Sequence, residues 1–265
     1  MPLFPANQHC RQLLLLLLLP LVPLLPLCSC STAKRALDAK PTRLSSFIDE
    51  PGNMRTQRSG PFQQVWTSSP REWMMQSSTR NEIFIAPVKT GLLRPVSQKL
   101  SEMEMQQFGK ERPVEQLATE LHSAFVSAFQ DNPSADYRVV DKPTANSISL
   151  ELCLLELNPT SVTGNLAKKA ATFVVGPAAG LAGRWTKGSV AIEGKLRDSP
   201  TNWMLFQFAD REQDKMTFWT LRDFKPYGHC RVAFREWAEQ FEKLTRTSNW
   251  RQNIKDASIF TLNPL

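Results

Sequence analysis

Between residues 189 and 210 two runs of β-forming residues flank a short polar turn, and no other feature restricts the possible folds as strongly. The runs are Ser189-Val190-Ala191-Ile192-Glu193-Gly194-Lys195-Leu196-Arg197 and Trp203-Met204-Leu205-Phe206-Gln207-Phe208-Ala209-Asp210. The turn is Asp198-Ser199-Pro200-Thr201-Asn202. Strands joined this way pair antiparallel, so the chain must build a sheet around a hairpin. A third run, 147–157, alternates cleanly up to Leu154 and changes face at Leu154-Leu155, where a β-bulge is expected. Asn158-Pro159 ends it.

Two further strands and two helices complete the predicted set. Residues 82–88 form a short apolar run closed by Pro87, and Tyr137-Arg138-Val139-Val140 is stopped by Asp141-Lys142-Pro143. Pro113 opens a helix in which Val114, Leu117, Leu121, Ala124, Phe125, Ala128 and Phe129 recur at three and four, up to Asp131-Asn132-Pro133. A second helix over 227–245 buries Cys230, Ala233, Phe234, Trp237, Phe241 and Leu244, and wets Arg231, Arg235, Glu236, Glu239 and Lys243. The expected class is therefore α/β (α+β) in the order β-α-β-β-β-β-α. It is a mostly antiparallel sheet of four to five strands with two helices packed on one face.

The N-terminal part has a different character. Leu13 to Leu19 are consecutive leucines, and the uncharged run continues to Leu27, too short for a bilayer that needs roughly 20 apolar residues. It reads as the h-region of a signal peptide, although Arg11 is the only fixed charge before it and Pro20, Pro23 and Pro26 interrupt it. The run closes on Leu27-Cys28-Ser29-Cys30, with a small residue before Cys30 and a leucine three positions upstream. This resembles the bacterial lipobox, which implies cleavage before Cys30 and acylation of its thiol, palmitate included. Cys28 is a competing acceptor, disfavoured by the bulk of Leu27. An uncleaved anchor and an ordinary signal peptide are the plainer readings. Ser31 in place of Asp after the cysteine points, by the same resemblance, to the outer membrane facing the periplasm.

The expected organisation is a signal peptide over 1–29, a tether over 30–80, one domain over 81–247 and a loose tail over 248–265. The tether is rich in Ser, Thr, Pro, Gln and Arg, and carries apolar islands at Leu44-Phe47-Ile48, Phe62-Val65-Trp66 and Trp73-Met74-Met75 that are expected to pack on the domain surface. A flexible tether would let the domain reach away from the membrane. Without residues 1–29 the chain keeps 31 basic and 25 acidic residues, a net +6. The charges alternate in sign without a basic cluster, which argues against nucleic acid. Cys153 and Cys230 fall on faces that should not meet, so both are expected to be free thiols.

Strand Ile85-Ala86-Pro87-Val88, the helix from Leu117-Ala118 to Phe129, the segment Tyr137-Arg138-Val139-Val140-Asp141-Lys142-Pro143, a Gly/Ala stretch and the closing hairpin together resemble the bacterial lipoproteins of domain-of-unknown-function family 3313, DUF3313. The resemblance spans about residues 44–245 and lies in the order of elements, with no catalytic signature. It implies an envelope lipoprotein and brings no activity or site residues. The chain departs from the family in its long Lys-flanked Ala/Gly segment and its many tryptophans.

That segment is the candidate contact flap. Residues 170–182 carry no charge, Gly176, Gly180 and Gly183 let backbones approach closely, and Lys168, Lys169, Arg184 and Lys187 bracket the run beside Trp185. Such a flap could touch lipid or a partner, or could be a plain connector packed at the sheet edge. Gly183 and Gly188-Ser189 have the end spacing of a phosphate loop but lack its lysine. His122 reads as a partly exposed spacer, and His229 beside Cys230 as a pair pointing about 100° apart rather than a thiol dyad. No HExxH, paired CxxC or Gly-x-Ser-x-Gly follows residue 30, so no metal or cofactor is expected. Glu151, Glu193, Asp198 and Asp210 read as carboxylates of a solvated face. Trp203 and Trp237 are assigned to the core, and Trp66, Trp73 and Trp185 to a contact surface.

The function these features favour is a membrane-anchored, non-enzymatic envelope module that binds or assembles with an envelope protein. Two alternatives stand beside it. One is an envelope hydrolase with a carboxylate-based site; the other is a carrier of a hydrophobic ligand with the flap as its lid.

Overall fold

The computed structural model describes residues 39–57, 60–69, 79–95, 113–159, 188–213, 227–247 and Ile254. The chain divides into two units, Met1–Asp38 and Ala39–Leu265, and every described residue belongs to the second.

Among the described residues the second unit is an α/β fold with one mixed seven-stranded sheet and two α-helices. Its strands are β1 (Arg55–Thr56), β2 (Gln64–Thr67), β3 (Glu82–Ile85), β4 (Arg138–Val140), β5 (Ser147–Asn158), β6 (Ser189–Asp198) and β7 (Met204–Gln213). The helices are α1 (Val114–Gln130) and α2 (Gly228–Arg246). Across the sheet the strands run β1-β2-β7-β6-β5-β3-β4.

The hairpin read in the sequence is present, β6 pairing antiparallel with β7 from Ser189↔Gln213 to Arg197↔Met204. The bulge is present too, the β5–β6 register shifting between Leu154 and Glu156. It places Leu150, Leu152, Leu154 and then Leu157 in the helix-side core, while Cys153 and Leu155 join a smaller cluster.

The sheet is larger and less antiparallel than the expected four to five strands. β3 lies parallel to both β4 and β5, because a helical crossover through α1 returns the chain in the direction it left. β1 and β2 come from the stretch read as tether, β2 pairing with β7 through Gln64↔Ala209 to Thr67↔Phe206. The sheet thus begins at residue 55 rather than near 81. Four residues of β2 are too few to show a period in a polar background.

α1 buries Leu117, Leu121, Phe125 and Phe129 as its spacing predicts, and α2 buries Cys230, Ala233, Phe234, Trp237, Phe241 and Leu244. The helices run side by side in the same direction. Arg231 pairs with Glu120 near their starts, and Phe241 meets Phe125 and Phe129 near their ends, at ring separations of 5.8 and 6.3 Å. Phe241 also lies 5.6 Å from Phe208, tying both helices to the sheet. Phe208 crosses the hairpin directly over Gly194, where a Cβ would sit 2.1 Å from its ring. That position has room for glycine alone.

The tryptophan assignments divide. Trp237 is buried and its Nε1 donates to Asp210 Oδ2 at 2.6 Å. Trp203 is 49% exposed, because the turn extends one residue further than the sequence suggests and β7 starts at Met204. Trp66 packs half-buried against the smaller apolar cluster. Trp73 and Trp185 lie outside the described residues.

Candidate functional site

The sheet face away from the helices carries a row of ionisable side chains. Alternation along β6 puts Glu193, Lys195 and Arg197 on this face, and β5 adds Glu151 and Cys153 beside them. Opposite charges spaced two apart on a strand form a polar surface that a neutral segment could not cover without leaving charges unpaired.

The cover is the segment 39–57, which lies along β6 as a strap. Ser45 donates its backbone N–H to Glu193 Oε1 at 2.7 Å and its hydroxyl to Oε2 at 2.5 Å. Phe47 N donates back to Ser45 Oγ at 3.0 Å. Four residues on, Asp49 receives Lys195 Nζ at 2.9 Å and pairs with Arg197, while its backbone N–H donates to Gln207 Oε1 at 3.0 Å. Lys195 and Lys89 also stand 4.3 and 5.3 Å from the centre of the Phe47 ring, within cation–π range. Beneath these contacts Phe47, Ile48 and Met54 bury against Cys153, Leu155, Ala191 and Ala209. Arg94 fixes the upstream end, donating to Thr42 Oγ1 at 2.7 Å and to the Arg43 carbonyl.

Burial sets the protonation of this seam. It pushes the Glu193 carboxyl above the ordinary glutamate range, and the Ser45 hydrogen bonds, Arg94 and Lys195 only partly oppose it. Burial lifts Asp49 as well, but Lys195 and Arg197 outweigh it and hold that carboxyl below its usual range. The Cys153 thiol is pushed up to about 11 by burial and by Glu193. A thiol that protonated is a poor nucleophile near neutral pH.

Two more of the carboxylates read as solvated, Asp198 and Asp210, are also inside and bound, as is Glu156. Asp198 is buried, holds Arg80 Nε at 2.6 Å, and caps the hairpin turn by accepting from the Thr201 N–H and hydroxyl. Burial raises it, and Arg80 and Thr201 more than reverse the effect, leaving it below the usual range. Asp210 accepts from the Trp237 ring and from Gln63 N. Glu156 receives Arg211 through both Nε and the terminal nitrogen, with Ser189 alongside. Burial raises Glu156 too, and Arg211 and Ser189 bring it below the ordinary value. Glu151 is the partly solvated member, paired with Lys89 at 2.6 Å.

His122 is a tie rather than a spacer, its Nε2 donating to the Ile85 carbonyl at 3.0 Å and joining α1 to β3. His229 and Cys230 are closer than helical geometry suggests, with Sγ 3.4 Å from Nε2, but Cys230 is fully buried in the helix-side core. Neither Cys153 nor Cys230 is in a disulfide, as their separate faces predict. A surface groove of about 430 Å³ runs between the C-terminal halves of the helices, lined by Ala128, Asp131, Arg235, Glu239, Glu242 and Lys243 among others. Glu242 is committed there to Arg246 Nε at 2.8 Å. Among the described residues no group of His, Cys, Asp and Glu is arranged to hold a metal ion, and no helix is long and apolar enough to cross a membrane.

Cys30 and the flap residues Lys168, Lys169, Gly176, Gly180, Gly183, Arg184, Trp185 and Lys187 lie outside the described residues. The flap's roots are described: the chain leaves β5 at Asn158 and returns at Gly188 into β6. The residues that sequence reasoning missed are Ser45, Asp49 and Arg94. The signal for them was the Glu193/Lys195/Arg197 alternation, a charged strand face in the middle of a sheet that required a polar partner.

A family profile described as a protein of unknown function, DUF3313, matches residues 71–241. No curated protein matches the chain. Among solved structures the chain is similar to the PelC dodecamer from Paraburkholderia phytofirmans, with a TM-score of 0.35 and 7% identity over 62% of this chain and 89% of that one. It is also similar to the hypothetical protein CT253 from Chlamydia trachomatis, with a TM-score of 0.38 and 10% identity over 64% and 99%. A third is the protein XCC0632 from Xanthomonas campestris, with a TM-score of 0.30 and 9% identity over 63% and 81%.

Proposed function

The chain belongs to the DUF3313 family, and on that premise we propose that it is a lipid-anchored module of the cell envelope that binds or assembles with another envelope component. The anchor in this proposal is the acylated Cys30, and the location is the periplasmic side of the outer membrane. The partner is an envelope protein, engaged through the segment that carries Lys168, Lys169, Gly176, Gly180, Gly183, Arg184, Trp185 and Lys187.

The observation that supports the reading best is the use made of the buried carboxylates. Glu193 fastens the strap, Asp198 the hairpin turn, Asp210 the second helix, and Glu156 the end of the sheet through Arg211. Each is spent on holding elements together, which suits a rigid display surface. A catalytic carboxylate needs instead a free oxygen within reach of a reacting atom.

Labelled palmitate incorporated by the wild type and lost in Cys30→Ala tests the anchor. Purification of the acylated protein from detergent-solubilised membranes tests the assembly role, with a stoichiometric partner expected. Deleting residues 172–182 should abolish that partner while the thermal unfolding transition of the domain is kept. A monomeric preparation that hydrolyses an envelope polymer would refute the assembly reading.

A further inference from the structure

We infer that the sheet end carrying Ala39, Asn158, Ser189 and Gln213 faces a phospholipid bilayer, with the exposed Lys40 and Arg43 against anionic headgroups. The inference rests on the anchor at Cys30 proposed above and adds an orientation and a partner surface to it.

The direction of the strap and the number of residues between it and Cys30 carry the argument. The carbonyl of Ala39 accepts from Gln63 Nε2 at 2.9 Å, and the same nitrogen reaches the carbonyl of Arg211 at 3.2 Å. Arg211 pairs with Ala191, two residues from the start of β6, so the strap begins at the end where β6 opens and β7 closes. It then meets Glu193 at Ser45 and Lys195 and Arg197 at Asp49, running parallel to β6 toward the opposite end. The far end is the hairpin turn with exposed Trp203.

Only residues 31–38 separate Cys30 from Ala39. Nine Cα steps of about 3.3–3.6 Å span at most about 30 Å. The tether expected from sequence would have had some fifty residues; packing of 39–57 and β2 on the domain removes most of them. A leash this short cannot present either end of the sheet equally. The ten residues of β6 at about 3.3 Å each put the hairpin turn roughly 30 Å beyond the start of the strand.

Charge agrees with this orientation. Residues 31–43 contain Lys34, Arg35, Lys40 and Arg43 against Asp38 alone, and Lys40 and Arg43 are exposed. Glu212 also stands at this end, half-buried. Basic residues next to a lipid anchor are drawn to anionic headgroups within about a Debye length, roughly 8 Å at physiological salt.

The test uses full-length acylated protein in vesicles of phosphatidylethanolamine with phosphatidylglycerol, acylation of Cys30 being verified by mass. A donor dye is placed at the exposed Pro41→Cys, which keeps both Lys40 and Arg43, or at Trp203→Cys, the wild type serving as the control for the buried thiols. Transfer to a headgroup-labelled lipid should be several-fold stronger from position 41 than from 203. The difference should shrink when a 20-residue Gly/Ser insert follows Ser31. Half-molar salt should weaken transfer from position 41 in the insert variant, where the leash no longer enforces contact. Equal transfer from both positions in acylated protein overturns the orientation and leaves the anchor standing. Transfer that favours position 41 but ignores salt and phosphatidylglycerol content overturns the headgroup contact. An unmodified Cys30 overturns the anchor, and the orientation falls with it.

Discussion

Replacing Ser45 with alanine should destabilise the protein by an amount that grows with pH. The hydroxyl lies 2.5 Å from Glu193 Oε2 and accepts from Phe47 N, while Glu193 itself is fully buried. A hydrogen bond to a charged group contributes about 1.5–3 kcal/mol, and one between neutral groups about 0.5–1.5 kcal/mol. Glu193 titrates above its ordinary value in the folded protein because of burial, and Ser45 is the strongest influence holding it down. A raised carboxyl binds its proton more tightly folded than unfolded. Its contribution to stability is therefore fully present below the unfolded value near 4.5 and declines as pH rises through the folded one. Removing Ser45 raises the folded value further and steepens that decline. The expected loss is about 1 kcal/mol in acid, below the unfolded value, where the carboxyl is mostly protonated in both states, and rises toward about 2–3 kcal/mol above the folded value, where the anion loses its hydroxyl donor and keeps the Ser45 backbone N–H. Urea unfolding of the Ser45→Ala and parent proteins across pH 4–8 measures it, and the titrations of Asp49, Glu156 and Asp198 cancel to first order in the difference. In a Glu193→Gln background the same substitution should cost about 1 kcal/mol at every pH. A loss that is flat with pH in the parent background, or larger in acid, refutes the reasoning.

Three further outcomes follow from the packing. Gly194→Ala should cost at least 1–3 kcal/mol in the same urea assay, because its Cβ would fall 2.1 Å from the Phe208 ring, and Phe208→Leu should recover part of the loss. Trp237→Phe removes the 2.6 Å donor to Asp210 and should cost about 1.5–3 kcal/mol, with Gln63 N left as a remaining partner. Cys153 and Cys230 should ignore a thiol reagent at pH 8 in the folded protein and react after unfolding. Both are fully buried, and Cys153 is pushed up to about 11.

The helices and the central hairpin were legible because periodicity reports burial directly. The 3.6 spacing of Leu117, Leu121, Phe125 and Phe129 and the alternation of 147–154 each name the residues that the structure buries. Even the bulge announced itself, since two adjacent leucines cannot both face one side of a strand. What stayed hidden depended on contacts distant in sequence. β1 and β2 are two and four residues long, and β2 takes its place from pairing with β7, some 140 residues away, with β1 added on its outer edge. In the strap the apolar island Leu44-Phe47-Ile48 was legible and packs on the sheet as expected, whereas the polar fasteners Ser45 and Asp49 were not, because nothing local marks their partners Glu193, Lys195 and Arg197. Glu193, Asp198 and Asp210 looked solvated for the same reason: a charged residue on a strand reveals its burial only through a partner, and those partners are Ser45, Arg80 and Trp237.

The strap also decides how a load on a lipid anchor would be carried. It runs along β6, with Ser45 at Glu193 and Asp49 at Lys195 and Arg197, and its N-terminal end lies where β6 starts. Under the proposed orientation, a pull from the bilayer acts along the strap's own axis. The Arg94, Glu193, Lys195 and Arg197 fasteners are then strained together, in shear. A bilayer at the hairpin end would reverse the pull and peel the strap from Ala39 inward, one fastener at a time. The two geometries use the same bonds at very different rupture loads, because peeling loads each contact alone and shear divides the load among them. Charged fasteners fit the first arrangement, since each is directional and resists sliding along the sheet in a way that Phe47, Ile48 and Met54, packed on a small apolar cluster, cannot match by themselves. The polar seam is in this view the part of the domain that transmits the anchor's tension into the sheet.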